Sequence, residues 1–592
     1  MRHKTVMWRL RKLLLALMAC LLFAVLAPLY FAERRPDEPF AISSVVASPR
    51  DMHVLSQPIR LSDAPDLILN RGVVYAYVAS QATPGATNAS IVLDGPVFTL
   101  NAAGLKAATL QDGSDPAGID MGAIAPLIEQ ILTLGFDLLT IKRGTLLVTA
   151  FDGTLETISD IQAEVTGRRK GQIAGRGTFT IRGQRLAFDA TLGQSSDKRL
   201  PSRWPVKTTV KGALVEASFE GYADVGEDLQ LAGSAEVSTP SLRRAGRWFG
   251  LPLHTTEGFN ATSVKGQLTW ARRALAFEKA RITVDKNEAS GRLALNLAND
   301  RPLVDATLDF TSLNLTPYLD AARVQFFGFD LSPPSWSTFD LSLPLIRHVD
   351  ADLRLSARKV SIKGYAFGQG AATITAQGGK LQADITEIEM NSGTATAQVT
   401  AIMSEAMPRY ALRTKLENIE AGAASSFWLG SAPLAGRATL TADVTSTGYS
   451  PAEIIRRLSG KASLSIAEGG RLALDLKGLR TAANANQSAS WLKLAKSQLN
   501  IDQLEARALI IDGVAFTDVA HARSGAAGLG AAGRLGLADG NLDLRLSVKQ
   551  NVPADRPMNA ADLVGAEMIY LRGPWQDPVI RADDSDFGAS PR

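Results

Sequence analysis

From about Ile42 to Ala582 the chain alternates apolar and polar residues with a period of two, broken by Gly, Asp-Gly and Asn turn signals. Leu186, Phe188, Ala190 and Leu192 fall on one side of such a run, with Ala187, Asp189 and Thr191 on the other. The spacing recurs at Leu293, Leu295 and Leu297, at Val304, Ala306, Leu308 and Phe310, and at Leu472, Leu474 and Leu476. It is cleanest from Leu542 to Lys549, where Leu542, Leu544, Leu546 and Val548 alternate with Asp543, Arg545, Ser547 and Lys549. Such runs predict antiparallel strands with one wet face. Asp152-Gly153, Glu468-Gly469-Gly470 and Asp539-Gly540 supply hairpin turns.

Helical spacing is confined to Met121–Leu134, Pro240–Phe249 after Thr239, Thr316–Leu319, Ala421–Leu429, Ser450–Leu458 and roughly Leu479–Ala495. About 70 helical residues cannot cover the apolar face of roughly 30 strands. The expected fold is mostly β: a long, curled antiparallel sheet forming a groove, with a few short helices. Pro333-Pro334 marks a seam, giving halves at 42–332 and 335–582 and a polar tail at 583–592.

Leu13–Ala32 is a run of 20 residues without a charge, preceded by a basic segment over 1–12. As a helix it would reach about 30 Å, enough to span a bilayer. Its upstream bases predict a cytoplasmic N-terminus with the remainder exported. A cleaved signal fits poorly, because Pro28 follows Val25-Leu26-Ala27 and Tyr30 is bulky where a small residue is needed. Leu17-Met18-Ala19-Cys20 resembles a lipoprotein box only faintly, since apolar residues continue beyond it. The reading is an uncleaved single-pass anchor at 13–32.

Composition narrows the chemistry. Apolar residues are 46% and charged residues 21%, as in a folding chain. Lys plus Arg is 63 and Asp plus Glu 59; setting aside Arg2, Lys4, Arg9, Arg11 and Lys12 leaves 58 against 59. No basic field remains to attract nucleic acid. Cys20 is the only cysteine, so neither an intramolecular disulfide nor a cysteine-based metal site can form. The five histidines show no HxH or HExxH spacing. Gly528-Leu529-Gly530-Ala531-Ala532-Gly533 is a literal GxGxxG, but turn and strand signals follow it where dinucleotide binding needs a helix. Asp350/Asp352 and Glu387/Glu389 sit at period two on polar strand faces, where solvation explains them better than acid–base work. No GxSxG or P-loop occurs. The expectation is no enzyme, no catalytic set, no metal and no cofactor; a hydrolase in an unusual fold is the weakest alternative.

Thr447-Gly448-Tyr449-Ser450-Pro451 through Leu458-Ser459-Gly460, then Lys461-Ala462-Ser463-Leu464 and Glu468-Gly469-Gly470, resembles the C-terminal region of the AsmA family. Gly573-Pro574-Trp575-Gln576-Asp577-Pro578 is similar to its closing segment, and Trp336 to Pro344, Asp350 to Leu353 and Arg301-Pro302-Leu303 to its middle. Leu472-Ala473-Leu474-Asp475-Leu476 departs from the Gly-Ile-Asp-Leu that relatives often carry. The likeness runs from about residue 50 to 582. It implies an inner-membrane-anchored periplasmic protein of outer-membrane biogenesis, related to TamB-like bridge proteins that carry phospholipid along β-grooves. Cargo does not follow from family membership.

Beside that resemblance stands a physical reading. Aromatic residues are only 6%, so the apolar face is a smooth aliphatic wall, suited to flexible acyl chains. Each buried methylene contributes roughly 0.8 kcal/mol, while sliding along a uniform wall costs little. The candidate lipid-groove face comprises Leu186, Phe188, Leu192, Leu293, Leu295, Leu297, Leu308, Phe310, Leu472, Leu474, Leu542, Leu544 and Leu546. The expected partners are phospholipid or another acyl lipid, the inner membrane through the N-terminal helix, and a partner at the outer membrane. The alternative is a lipid-free periplasmic scaffold that assists outer-membrane protein assembly.

Overall fold

A computed structural model describes residues between 52 and 582, apart from 80–87, 102–137, 194–202, 250–256, 322–335, 425–433, 489–496 and several shorter stretches. The basic segment, the expected membrane span, Met121–Leu134, Asp152-Gly153, Pro333-Pro334 and the polar tail lie outside the described residues. Among the described residues no helix is long and apolar enough to cross a membrane. The chain divides into two compact units, Met1–His254 with Phe259–Leu308, and Thr255–Gly258 with Asp309–Arg592.

In the first unit, Asp66–Ala79 pairs with the short strands Met52–Val54 and Ile59–Ser62 and with Asn88–Asn101. Serial hairpin pairing then runs from Leu138–Thr149 to Asn287–Asn296, each strand antiparallel to the next. One pairing departs from the antiparallel expectation: Asn88–Asn101 lies parallel to Leu138–Thr149, Ser90 opposite Leu138. A parallel pair needs a long connection, and residues 102–137 separate these strands. Gly95 (φ 61°), Arg143 (φ 52°) and Asp160 (φ 48°) sit where the register slips in three neighbouring strands. Such bulges bend a sheet and increase its twist. The helix Leu242–Phe249 follows Pro240 as expected, and its Trp248 Nε1 donates to the Ile181 carbonyl at 3.3 Å.

In the second unit, Asp350–Ala357, Gly370–Gln377, Lys380–Met390, Gly393–Ile402, Arg409–Glu420, Arg437–Thr447, Ser459–Ile466 and Gln503–Ile511 pair antiparallel in that order. Val514–Ser524, Ala527–Gly536, Asn541–Gln550, Glu567–Pro574 and Val579–Arg581 continue the series. Leu434–Ala435, Gly470–Ala473 and Gln498–Ile501 form a separate small sheet. A second parallel contact sets Leu313 beside Val360.

Two turn regions explain residues that carry the family resemblance. Ser450 caps the helix Pro451–Arg456, with Pro451 in its first turn, while Glu453 accepts from the Tyr449 N–H at 3.1 Å. Gly448 is needed because a Cβ there would lie 2.6 Å from the Glu453 Cβ. Gly460 (φ 149°) runs so close to the next strand that a Cβ would meet the Asp443 carbonyl at 2.1 Å.

Candidate apolar groove

Antiparallel register places same-face residues side by side across successive strands. In the second unit one row runs Ile374, Ala383, Val399, Leu412, Val444. Two residues along, Ile385, Ala397, Thr414, Ala442 and Ala462 form another. The opposite face carries Asp384, Gln398, Arg413, Asp443 and Lys461 at the intervening positions. These polar side chains pair across strands, Gln398 to Asp384 at 2.7 Å and Arg413 to Asp443 at 3.0 Å, and with their neighbours line a shallow concavity of about 1060 Å³. The two faces differ as the alternation predicts.

Over this stretch the apolar face is partly covered: Ile374, Ala383, Ile385, Ala397 and Val399 are half-buried and Leu412 is 36% exposed, while Val444 at the end of the row is buried. Backbone donors and acceptors are engaged in the ladders, and the side chains offer aliphatic contact without directional polar groups. Such a wall can hold an aliphatic chain through area alone.

Further along the sheet the chain covers the same face itself. The helix Leu476–Asn484 sets Leu479, Ala482 and Ala483 against Leu542, Ile569, Leu571 and Ile580, with Leu535, Leu544, Leu546 and Trp575 packed around them. The small sheet places Leu472, Leu499 and Ile501 over Leu504, Ala522, Leu529 and Val548. Leu542 is therefore buried, and Leu544 and Leu546 lie beneath a helix.

Leu472 and Leu474 occupy different positions from those expected. Their strand ends at Ala473, and the Asp475 carboxylate accepts from the Lys477 and Gly478 N–H groups at 3.1 and 3.0 Å, opening the helix Leu476–Asn484. An Asp read as the polar alternate of a strand is here an N-cap. Leu472 belongs to the cover and not to the face of the main sheet, and Leu474 lies between the end of its strand and the helix cap.

In the first unit Leu186 and Leu192 are buried and Phe188 is half-buried, its ring 6.0 Å from that of Phe179. They share a face with buried Ile173, Ile181 and Ala190. Leu293 and Leu295 are half-buried, as is Leu308, while Leu297 lies outside the described residues. Phe310, in the second unit, is also half-buried.

The GxGxxG run lies inside the strand Ala527–Gly536 and carries no phosphate-binding turn. A Cβ on Gly528 would meet Val552 Cγ1 at 2.6 Å, and one on Gly530 would meet Leu563 Cδ1 at 2.4 Å. These glycines admit a strap, residues 556–566, against the polar face. Arg556 and Asp562 pair within it at 2.5 Å, and Met558 N–H donates to Gln503 Oε1 at 3.2 Å. Sequence reasoning missed this strap because it carries no periodic pattern. The acidic pairs likewise have structural work: Asp350 accepts from the Gly378 N–H at 3.1 Å, and Glu389 from the Gln369 side chain at 2.9 Å.

Serial strands with one aliphatic face and one charged face define a groove-like, mostly β protein. Residues 311–514, all within the second unit, match the AsmA family model, which supports assignment to that family. No curated protein and no solved structure matches the chain.

Proposed function

We infer that the protein is a carrier and not an enzyme, holding phospholipid acyl chains on the apolar face of its sheet. In this reading it is anchored in a bacterial inner membrane by residues 13–32, with its N-terminus cytoplasmic and the sheet in the periplasm. It serves outer-membrane biogenesis by conducting lipid between membranes. The observation that carries the reading is the partly open row through Ile374, Val399 and Leu412, where an aliphatic side chain remains 36% exposed in the middle of a long sheet. An exposed apolar surface of this kind calls for a ligand or a partner. The AsmA-family match over residues 311–514 supports the lipid class of ligand.

The test is purification without detergent followed by native mass spectrometry with lipid identification. Co-purifying phospholipid is expected. A chain that arrives empty, and takes up none from phosphatidylethanolamine vesicles, would contradict the reading and favour the lipid-free scaffold.

A further inference from the structure

The helix Leu476–Asn484 lies where, by continuity of the sheet face, an acyl chain would lie. The row through Leu464, Ala506, Ala520, Ala531, Leu546 and Ile569 leads directly under it. Its hold on that face is slight. Only Leu479, Ala482 and Ala483 are buried, and two of these are alanines. Gly478 stands in its first turn, and the Thr481 hydroxyl donates back to the Lys477 carbonyl at 2.9 Å, both unfavourable to a short helix. Its polar ties include the Asp475 cap, an Arg480–Glu567 ion pair at 2.8 Å between half-exposed side chains and, just beyond its end, an Ile580 N–H to Gln487 carbonyl bond at 3.2 Å with a bridge between Ser488 and Val579. The flanking strands Gly470–Ala473 and Gln498–Ile501 pair with each other, Ala473 opposite Gln498. The helix can therefore leave the face without unpairing the small sheet.

We propose that this helix is a displaceable cover, and that Leu542, Leu544, Leu546, Ile569 and Leu571 form a second acyl-binding stretch that opens when it moves. The proposal rests on the lipid-carrying reading and adds its regulation: lipid and helix compete for one face.

The experiment uses the full chain with a photo-crosslinking residue at 544 or, as the uncovered reference, at 399, mixed with phosphatidylethanolamine vesicles. In the parent, position 399 captures lipid and position 544 captures little. Asp475→Ala removes the cap and should raise capture at 544 about fivefold, the factor expected when loss of an N-cap shifts a two-state equilibrium. Arg480→Glu, which sets like charges against each other at Glu567, should do the same, and adding Glu567→Arg should return capture to the parent level. The Arg480→Glu pair keeps the test open should Asp475→Ala fail to fold. Unchanged capture at 544 in folded variants that still capture at 399 would overturn the proposal, as would equal capture at both positions in the parent. No capture at 399 in any background would instead overturn the lipid reading itself.

Discussion

In the second unit, the strands between Gly370 and Thr447 and those between Gln503 and Arg581 carry the same kinds of residue on their apolar face. Ala, Leu, Ile and Val dominate both. Yet Ile374 and Val399 remain half-buried and Leu412 lies 36% exposed, while Ile569 and Leu571 are sealed beneath a helix. The later strands also carry the strap over residues 556–566 on their polar side, admitted by Gly528 and Gly530. Alternation thus decides which residues share a face. What covers that face is decided by what the chain places opposite. Where it places the helix Leu476–Asn484 the face becomes a core; around Ile374, Val399 and Leu412 the face stays partly open.

The contrast should be largest for a charge on the two faces. Leu571→Asp, at a position 1% exposed, buries an unpaired carboxylate and should cost about 4 kcal/mol. Leu412→Asp, on the uncovered row, should cost below about 1 kcal/mol because water reaches it. Pulse proteolysis in urea reads both, and equal losses would erase the distinction. Gly530→Val drives a side chain into Leu563 and Ser547 and should cost about 2 kcal/mol by lifting the strap, seen as faster cleavage within 556–566. Asp475→Ala should cost about 1 kcal/mol, confined to the cover.

The strap also has an acid limit. A hydrogen bond from Arg556, then one from the Asn559 N–H, holds the Asp562 carboxyl below its ordinary value of 3.8. A lowered folded-state pKa stabilises fully above that ordinary value and is lost as pH falls through the folded one. Hydrogen exchange over 556–566 should therefore stay slow at neutral pH and quicken only in strong acid, and Asp562→Asn should abolish that step. The smallest effect is expected on the polar face: Arg413→Ala breaks the exposed pair with Asp443 and should cost no more than about 0.5 kcal/mol in a melting experiment.

Much of the sheet was legible because its strands are long. Asn541–Gln550 repeats its alternation over ten residues, and the structure keeps Leu542 and Val548 on the covered face. Leu472 to Leu476 offered only a few alternating positions, too few to tell a strand from a strand end with its helix cap. Period two is the same in parallel and antiparallel pairs, so the parallel pairing of Asn88–Asn101 with Leu138–Thr149 left no trace in the pattern. Arg143 carries no residue-type signal for the positive φ it adopts. Gly528 and Gly530 stood out only as part of a GxGxxG run without its helix, and nothing in the sequence marked them as making room for another segment. Which residues of a long strand share a face was legible; which stretches of that face are covered was not, because covers come from residues distant in sequence.

The most direct measurement compares adjacent positions in the uncovered stretch. Val399 lies on the aliphatic row, whereas Gln398 lines the polar concavity and donates to Asp384 at 2.7 Å. With photo-crosslinking residues placed at 399 and 398 in the full chain, phospholipid should be captured at 399 and scarcely at 398. Equal capture at the two positions, or none at 399, would contradict the account.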